Sequence, residues 1–145
     1  MESTLDQLAL KFFKLYAQYE FSLKSNGFFI YRSGKIIVDW DRFVNEQIGS
    51  NFLEQMEDAR QSAEFILEHP PKKQVVNGAG RIVWGDVPNN ERSVQILFAH
   101  IGRIRNNMFH GAKFNGTWFS PERNFQLISN GIVVLEHFKT LACTE

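Results

Sequence analysis

At 145 residues, 43% hydrophobic and 14% aromatic, the chain is long enough to bury one core without covalent staples, so one domain is expected over residues 1–145. A single cysteine, Cys143, excludes an intramolecular disulfide framework. Glu2 and Asp6 stand where a signal peptide would be basic and apolar, and no run approaches the roughly 18 apolar residues of a membrane span. The expectation is a cytoplasmic protein with no membrane contact.

In chain order, Leu5, Leu8, Phe12, Leu15, Tyr16, Tyr19 and Leu23 keep helical spacing, with Ser3 or Thr4 as cap and Asp6 in the first turn. Ser25-Asn26-Gly27 ends this first long helix. Residues 28–31 and 35–38 flank Arg32-Ser33-Gly34, a pattern for a small hairpin or an ordered loop. Asp39-Trp40-Asp41 caps a short helix through about Ile48, and Gly49-Ser50-Asn51 interrupts it. Phe52, Met56, Ala59, Ala63, Ile66 and Leu67 mark a second long helix stopped by Pro70-Pro71.

Residues 72–90 are ambiguous, with Asn77-Gly78-Ala79-Gly80 supplying turn chemistry for another short hairpin. A third long helix spans about Glu91 to Phe109, with Val94, Leu97, Phe98, Ile101, Ile104 and Met108 on one face. Ser120-Pro121-Glu122 starts a fourth, lined by Leu127, Ile128, Val134, Leu135, Phe138 and Leu141. The expected fold is all-α, a four- to five-helix up-and-down bundle with two short hairpin-like insertions.

Net charge is zero, but it is unevenly spread. Residues 1–71 hold seven Lys/Arg against eleven Asp/Glu, whereas residues 72–123 hold eight against three. The basic segment contains Arg105-Asn106-Asn107-Met108-Phe109-His110-Gly111. An arginine presents a rigid fork of donors suited to phosphate, and a histidine titrates near neutrality. At 100° per residue, Arg105 lies about 40° from the centre of its helix's apolar stripe, Asn106 near 140° and His110 near 180°. On a regular helix Arg105 and His110 do not converge. They meet only if Gly111 ends the helix early and the chain bends, or if a second copy of the helix supplies the missing half.

The Arg-polar-x-x-x-His spacing resembles the signature of the HEPN superfamily (higher eukaryotes and prokaryotes nucleotide-binding). Tyr19-Glu20-Phe21 with Leu23-Lys24, Asp39-Trp40-Asp41-Arg42-Phe43, and the run from Asn106 to Lys113 are together similar to one compact prokaryotic group of that superfamily. The resemblance implies a metal-independent endoribonuclease without cofactors, using the ribose 2′-hydroxyl as nucleophile, with a composite site at a homodimer interface through the motif helix. On this resemblance His110 is the general acid/base, Arg105 holds the scissile phosphate, and Asn106 positions the motif. Arg92, Arg103, Asn107 and Lys113 are the residues expected to follow the RNA. A toxin or phage-defence role and an antitoxin or regulatory partner are also implied. Toxin members often carry a tyrosine two residues after the histidine; here that residue is Ala112, which argues against that mode of control.

Two other readings stand beside this one. A cationic helix end followed by Gly111 as an αL cap explains the motif structurally. A non-catalytic HEPN module binding RNA, a nucleotide or a protein partner fits a chain of zero net charge. Glu20 flanks the apolar stripe of the first helix and is expected to pair with Arg105 across the core, as structural support. His69, His100 and His137 lack metal-ligand spacing, and no metal is expected. Trp84 and Trp118 bracket the motif helix as insertion anchors or base-stacking surfaces. No Walker-type Lys-Ser/Thr follows Gly78-Ala79-Gly80.

Overall fold

A computed structural model describes residues 2–88, 91–109, 113–114, 117–118 and 120–143. Among these residues the chain forms α1 (Glu2–Ser25), β1 (Phe29–Arg32), β2 (Lys35–Val38), α2 (Trp40–Gln47), α3 (Phe52–Gln55) and α4 (Arg60–Glu68). It continues through β3 (Lys73–Val76), β4 (Ile82–Gly85), α5 (Val94–Phe109), β5 (Lys113–Phe114), β6 (Thr117–Trp118) and α6 (Pro121–Ala142). The strands pair only with their sequence neighbours, in separate antiparallel sheets of two strands each.

The fold is therefore mixed α/β, not the expected all-α bundle. Local turn chemistry is the cause. Ser33 and Gly34, both at positive φ (52° and 77°), join β1 to β2 with Arg32 opposite Lys35. Two left-handed central residues match the twist of paired strands. In the next hairpin the Asn77 carboxamide oxygen accepts from the amides of Ala79 (2.9 Å) and Arg81 (3.0 Å), and Gly80 takes a φ of 75°. The β5–β6 pair, just beyond α5, was not anticipated.

The long helix expected over 52–67 is also corrected. It is divided into α3, a 3-10 turn over Glu57–Ala59 and α4, with Glu57 at a φ of 49°. Glu54, Glu57 and Asp58 are like charges three and four residues apart, an arrangement that disfavours a continuous helix.

The core lies where α1 packs along α6, the most extensive interface between helices, with α5 and α4 closing the other sides. Leu5, Phe12, Tyr19 and Leu23 from α1 and Ile128, Leu135 and Phe138 from α6 are buried. Burying side chains of this size contributes roughly 1.5–3 kcal/mol each before entropy is counted. Gly131 lets the two helices close: a Cβ there would lie 2.8 Å from Phe12 Cε2. The buried Tyr19 hydroxyl donates to the Leu135 carbonyl, tying α1 to α6 by a polar contact as well.

The segment from Asp39 to Phe43 builds the wall between α1 and α5. The Asp39 carboxylate accepts from the Arg42 amide (3.2 Å) and so caps α2. Trp40 then packs its ring against Tyr16 (5.1 Å between centroids), Tyr19 (6.1 Å) and Phe98 (6.1 Å). Arg42 lies over the Phe28 ring at 4.6 Å and donates to the Gly27 carbonyl (3.0 Å), fastening α2 to the end of α1. No helix among the described residues is long and apolar enough to cross a membrane.

Candidate active site at the end of α5

α5 begins at Val94 because the Ser93 hydroxyl accepts from the Ile96 amide (3.2 Å), a serine cap. Its apolar face, with Leu97, Phe98, Ile101 and Ile104 buried, locks the helix rotation. That rotation decides where the last turn points.

Arg105 falls at the edge of the buried face, as its angle predicts, and is half-buried. Its guanidinium lies over the Phe109 ring at 4.6 Å and within 5.9 Å of the Tyr16 ring. Nη1 donates to the Asn106 side-chain oxygen at 3.2 Å. Among the described residues no carboxylate pairs with it. The expected Glu20–Arg105 ion pair is absent among the described contacts, although both charges act on the Tyr16 hydroxyl between them. Burial raises that hydroxyl's pKa above its ordinary value, Glu20 adds to the rise, and Arg105 offsets part of it. The phenol therefore stays protonated at neutral pH. A Cβ on Gly102 would stand 3.4 Å from the Tyr16 hydroxyl oxygen, which places that oxygen against the α5 backbone one turn before Arg105.

A cation over aromatic faces is held in place without losing its charge, worth about 0.5–2 kcal/mol depending on desolvation. The arrangement fixes an arginine fork that no carboxylate among the described residues compensates. Chemically, that is a receptor for an anion.

The remaining predicted residues are more scattered. Asn106 is exposed beside Arg105, whereas Asn107 turns to the far side of the helix, where its amide donates to the Lys72 carbonyl (2.8 Å). Arg103 is half-buried, with a buried Nε that has no hydrogen-bond partner among the described residues. It neighbours His100, whose two ring nitrogens are likewise unpartnered there. Burial, and then the Arg103 charge, lowers the His100 pKa, so the imidazole is kept neutral. Arg92 precedes α5 and is paired with Glu64 (3.4 Å) and Glu68 (3.8 Å), roughly 16 Å of helix from Arg105. Lys113 pairs through its backbone with Trp118 in the third hairpin. His110, Gly111 and Ala112 lie outside the described residues.

Tyr16, Phe13 and Phe109 were not singled out as site residues by sequence reasoning. Phe13 meets Phe109 at 5.6 Å between centroids, completing the aromatic surface around Arg105. The one available signal was that Phe13 falls outside the apolar stripe of α1, an exposed aromatic without a core to explain it. Trp118 is an anchor: it is buried and its indole N–H donates to the Asp6 carboxylate (2.9 Å). Among the described residues no three His, Cys, Asp or Glu side chains gather as a metal site. Comparison of the chain with family models, with curated proteins and with solved structures finds no match in any of the three.

Proposed function

We propose that the protein is a metal-independent endoribonuclease of the HEPN type that works as a cytoplasmic homodimer through α5. The observation that carries the reading is Arg105, a preset guanidinium without a carboxylate partner among the described residues, held on two aromatic rings beside the Asn106 amide. In the proposed reaction a ribose 2′-oxygen attacks the adjacent phosphorus as a base removes its proton. The bond to the 5′-oxygen breaks, and that oxygen leaves with a proton from an acid. Arg105 stabilises the charge gathering on the phosphoryl oxygens, and His110 supplies the proton transfer, a role carried by the motif resemblance.

On a helix these two residues lie about 140° apart, so a second copy of α5 is the natural source of the complementary half. A second apolar stripe supports that copy. Leu10 (54% exposed), Phe13 (43%) and Phe21 (75%) recur along the outer face of α1, and Phe109 (53%) extends the surface to the end of α5. Exposed apolar runs of this kind mark association surfaces. A toxin or phage-defence role, with an antitoxin or regulatory partner, belongs to the same proposal.

The test is incubation of the protein with labelled total RNA in EDTA beside His110→Ala, with the mass of both in solution measured. Cutting by wild type that falls roughly 10²–10⁴-fold in the variant, with both dimeric, is the expected result. Saturable RNA binding by both proteins without new RNA ends identifies a binding module instead.

A further inference from the structure

Asn107 lines a shallow cleft of about 90 Å³, open to solvent, on the flank of α5 opposite Arg105. Its walls come from four separate stretches of chain: Lys72 at the foot of the second hairpin, Trp84 in β4, Asn107 in α5, and Ser120, Arg123 and Asn124 at the start of α6. Two cations, an indole and two carboxamides thus meet in one concavity, and Leu127 provides apolar floor.

The cations are held differently. Arg123 Nη2 donates to the carbonyls of His69 (3.4 Å) and Pro70 (2.9 Å), which fixes the guanidinium plane at the end of α4. Its other nitrogens carry no bond among the described residues. Lys72 is half-exposed and reaches Asp86 only at 3.8 Å, and that carboxylate is 92% exposed. In water such a pair is worth little and is readily exchanged for a better anion. Asn107 uses its N–H group on the Lys72 carbonyl, which leaves its side-chain oxygen without a described partner. The Ser120 hydroxyl makes no cap bond to the first turn of α6.

We propose that this cleft binds a phosphorylated nucleoside, with the base against Trp84, its polar edge met by the carboxamides, and the phosphate between Lys72 and Arg123. An inorganic anion would use only the cations; a base alone would use only the indole and amides. Only a group with both parts engages all five. The source of the nucleotide is an RNA strand, which rests on the ribonuclease reading, or a free nucleotide, which does not.

Binding is measured by fluorescence anisotropy of a labelled single-stranded decamer of 2′-O-methyl RNA, which lacks the proposed nucleophile, and by titration with adenosine 5′-monophosphate and with inorganic phosphate. Lys72→Ala is expected to weaken the decamer several-fold and to reduce the salt slope by about 0.7. Trp84→Leu is expected to weaken it about tenfold, and Trp84→Phe, which keeps a ring and guards against misfolding, much less. These effects without competition by the mononucleotide assign the cleft to the strand. Saturable mononucleotide binding, lost in Lys72→Ala and Trp84→Leu, assigns it to a free nucleotide. Inorganic phosphate matching the mononucleotide with no effect of Trp84→Leu, or wild-type binding by both variants, or no binding of any probe, overturns the proposal. RNA cutting is read separately, so a cleft that binds in a protein that does not cut would sink the ribonuclease reading alone.

Discussion

Arg105 and Asn107 are two residues apart, yet they look onto surfaces built on opposite principles. On the Arg105 flank, Tyr16, Phe13 and Phe109 form an aromatic bed under a cation that no described carboxylate pairs with. On the Asn107 flank, cations, amides and carbonyls are stitched together by hydrogen bonds from distant parts of the chain. The first arrangement presets one charge over ring faces; the second distributes polar contacts over a concave surface. Asn106 sits on the ridge between them, exposed. The contrast teaches that one helical turn can present an aromatic-bedded cation on one side and a polar cleft on the other, because successive residues fan out by about 100°.

The sharpest way to break this division is Arg105→Ala. RNA cutting is expected to fall roughly 10²–10³-fold, as for loss of other preset electrostatic stabilisers, with decamer binding in the opposite cleft much less affected. Arg105→Lys should recover little, because an ammonium cannot present the planar fork. A combined assay of cutting and anisotropy on each variant checks both statements.

Gly131→Ala sharpens the comparison from below. The added Cβ meets Phe12 at 2.8 Å and must push α1 away from α6, at a cost of about 1–3 kcal/mol. Since α1 carries Tyr16 and Phe13, denaturant unfolding should show the loss of stability while cutting suffers more than decamer binding. Equal losses in both would show that the flanks are not independent.

The smallest expected effect is a pH dependence centred on His100, beneath neither surface. Burial and Arg103 lower its pKa in the folded chain, so the unfolded chain binds the proton more readily. Stability from this group is therefore fully present above the ordinary histidine value of 6.5 and declines as pH falls below it. His100→Gln should flatten that part of the stability–pH profile; an unchanged slope would refute the assignment.

Much of this molecule is written locally and much is not. The 3.6-residue period of Leu5 to Leu23 and of Val94 to Met108 places α1 and α5, and the angle of Arg105 against Ile101 foretells its half-buried position. Ser33-Gly34 and Asn77 to Gly80 announce their hairpins. The break at Met56-Glu57 was hidden, because Phe52 and Met56 stay in phase with Ala63 and Ile66 and neither glycine nor proline marks it. The cleft was hidden for a different reason. Lys72 and Arg123 are fifty-one positions apart, and no periodicity reports that the carbonyls of His69 and Pro70, just past α4, meet Arg123 in the first turn of α6. Tyr16 was legible as a core residue but not as the support of a guanidinium, since that depends on which part of its ring the α5 backbone leaves uncovered.

The dominance of the α1–α6 interface has a consequence in time. α1 finds its main partner in the distant α6, and the Tyr19–Leu135 contact spans 116 residues of sequence. Such closure is slow relative to the local hairpins and cannot begin during synthesis until α6 has emerged from the ribosome. Until then α1 lacks its main packing partner, and the cleft beside Asn107 lacks Arg123 and Asn124. A chain without α6 is thus without that cleft, and α6 is the element that closes it.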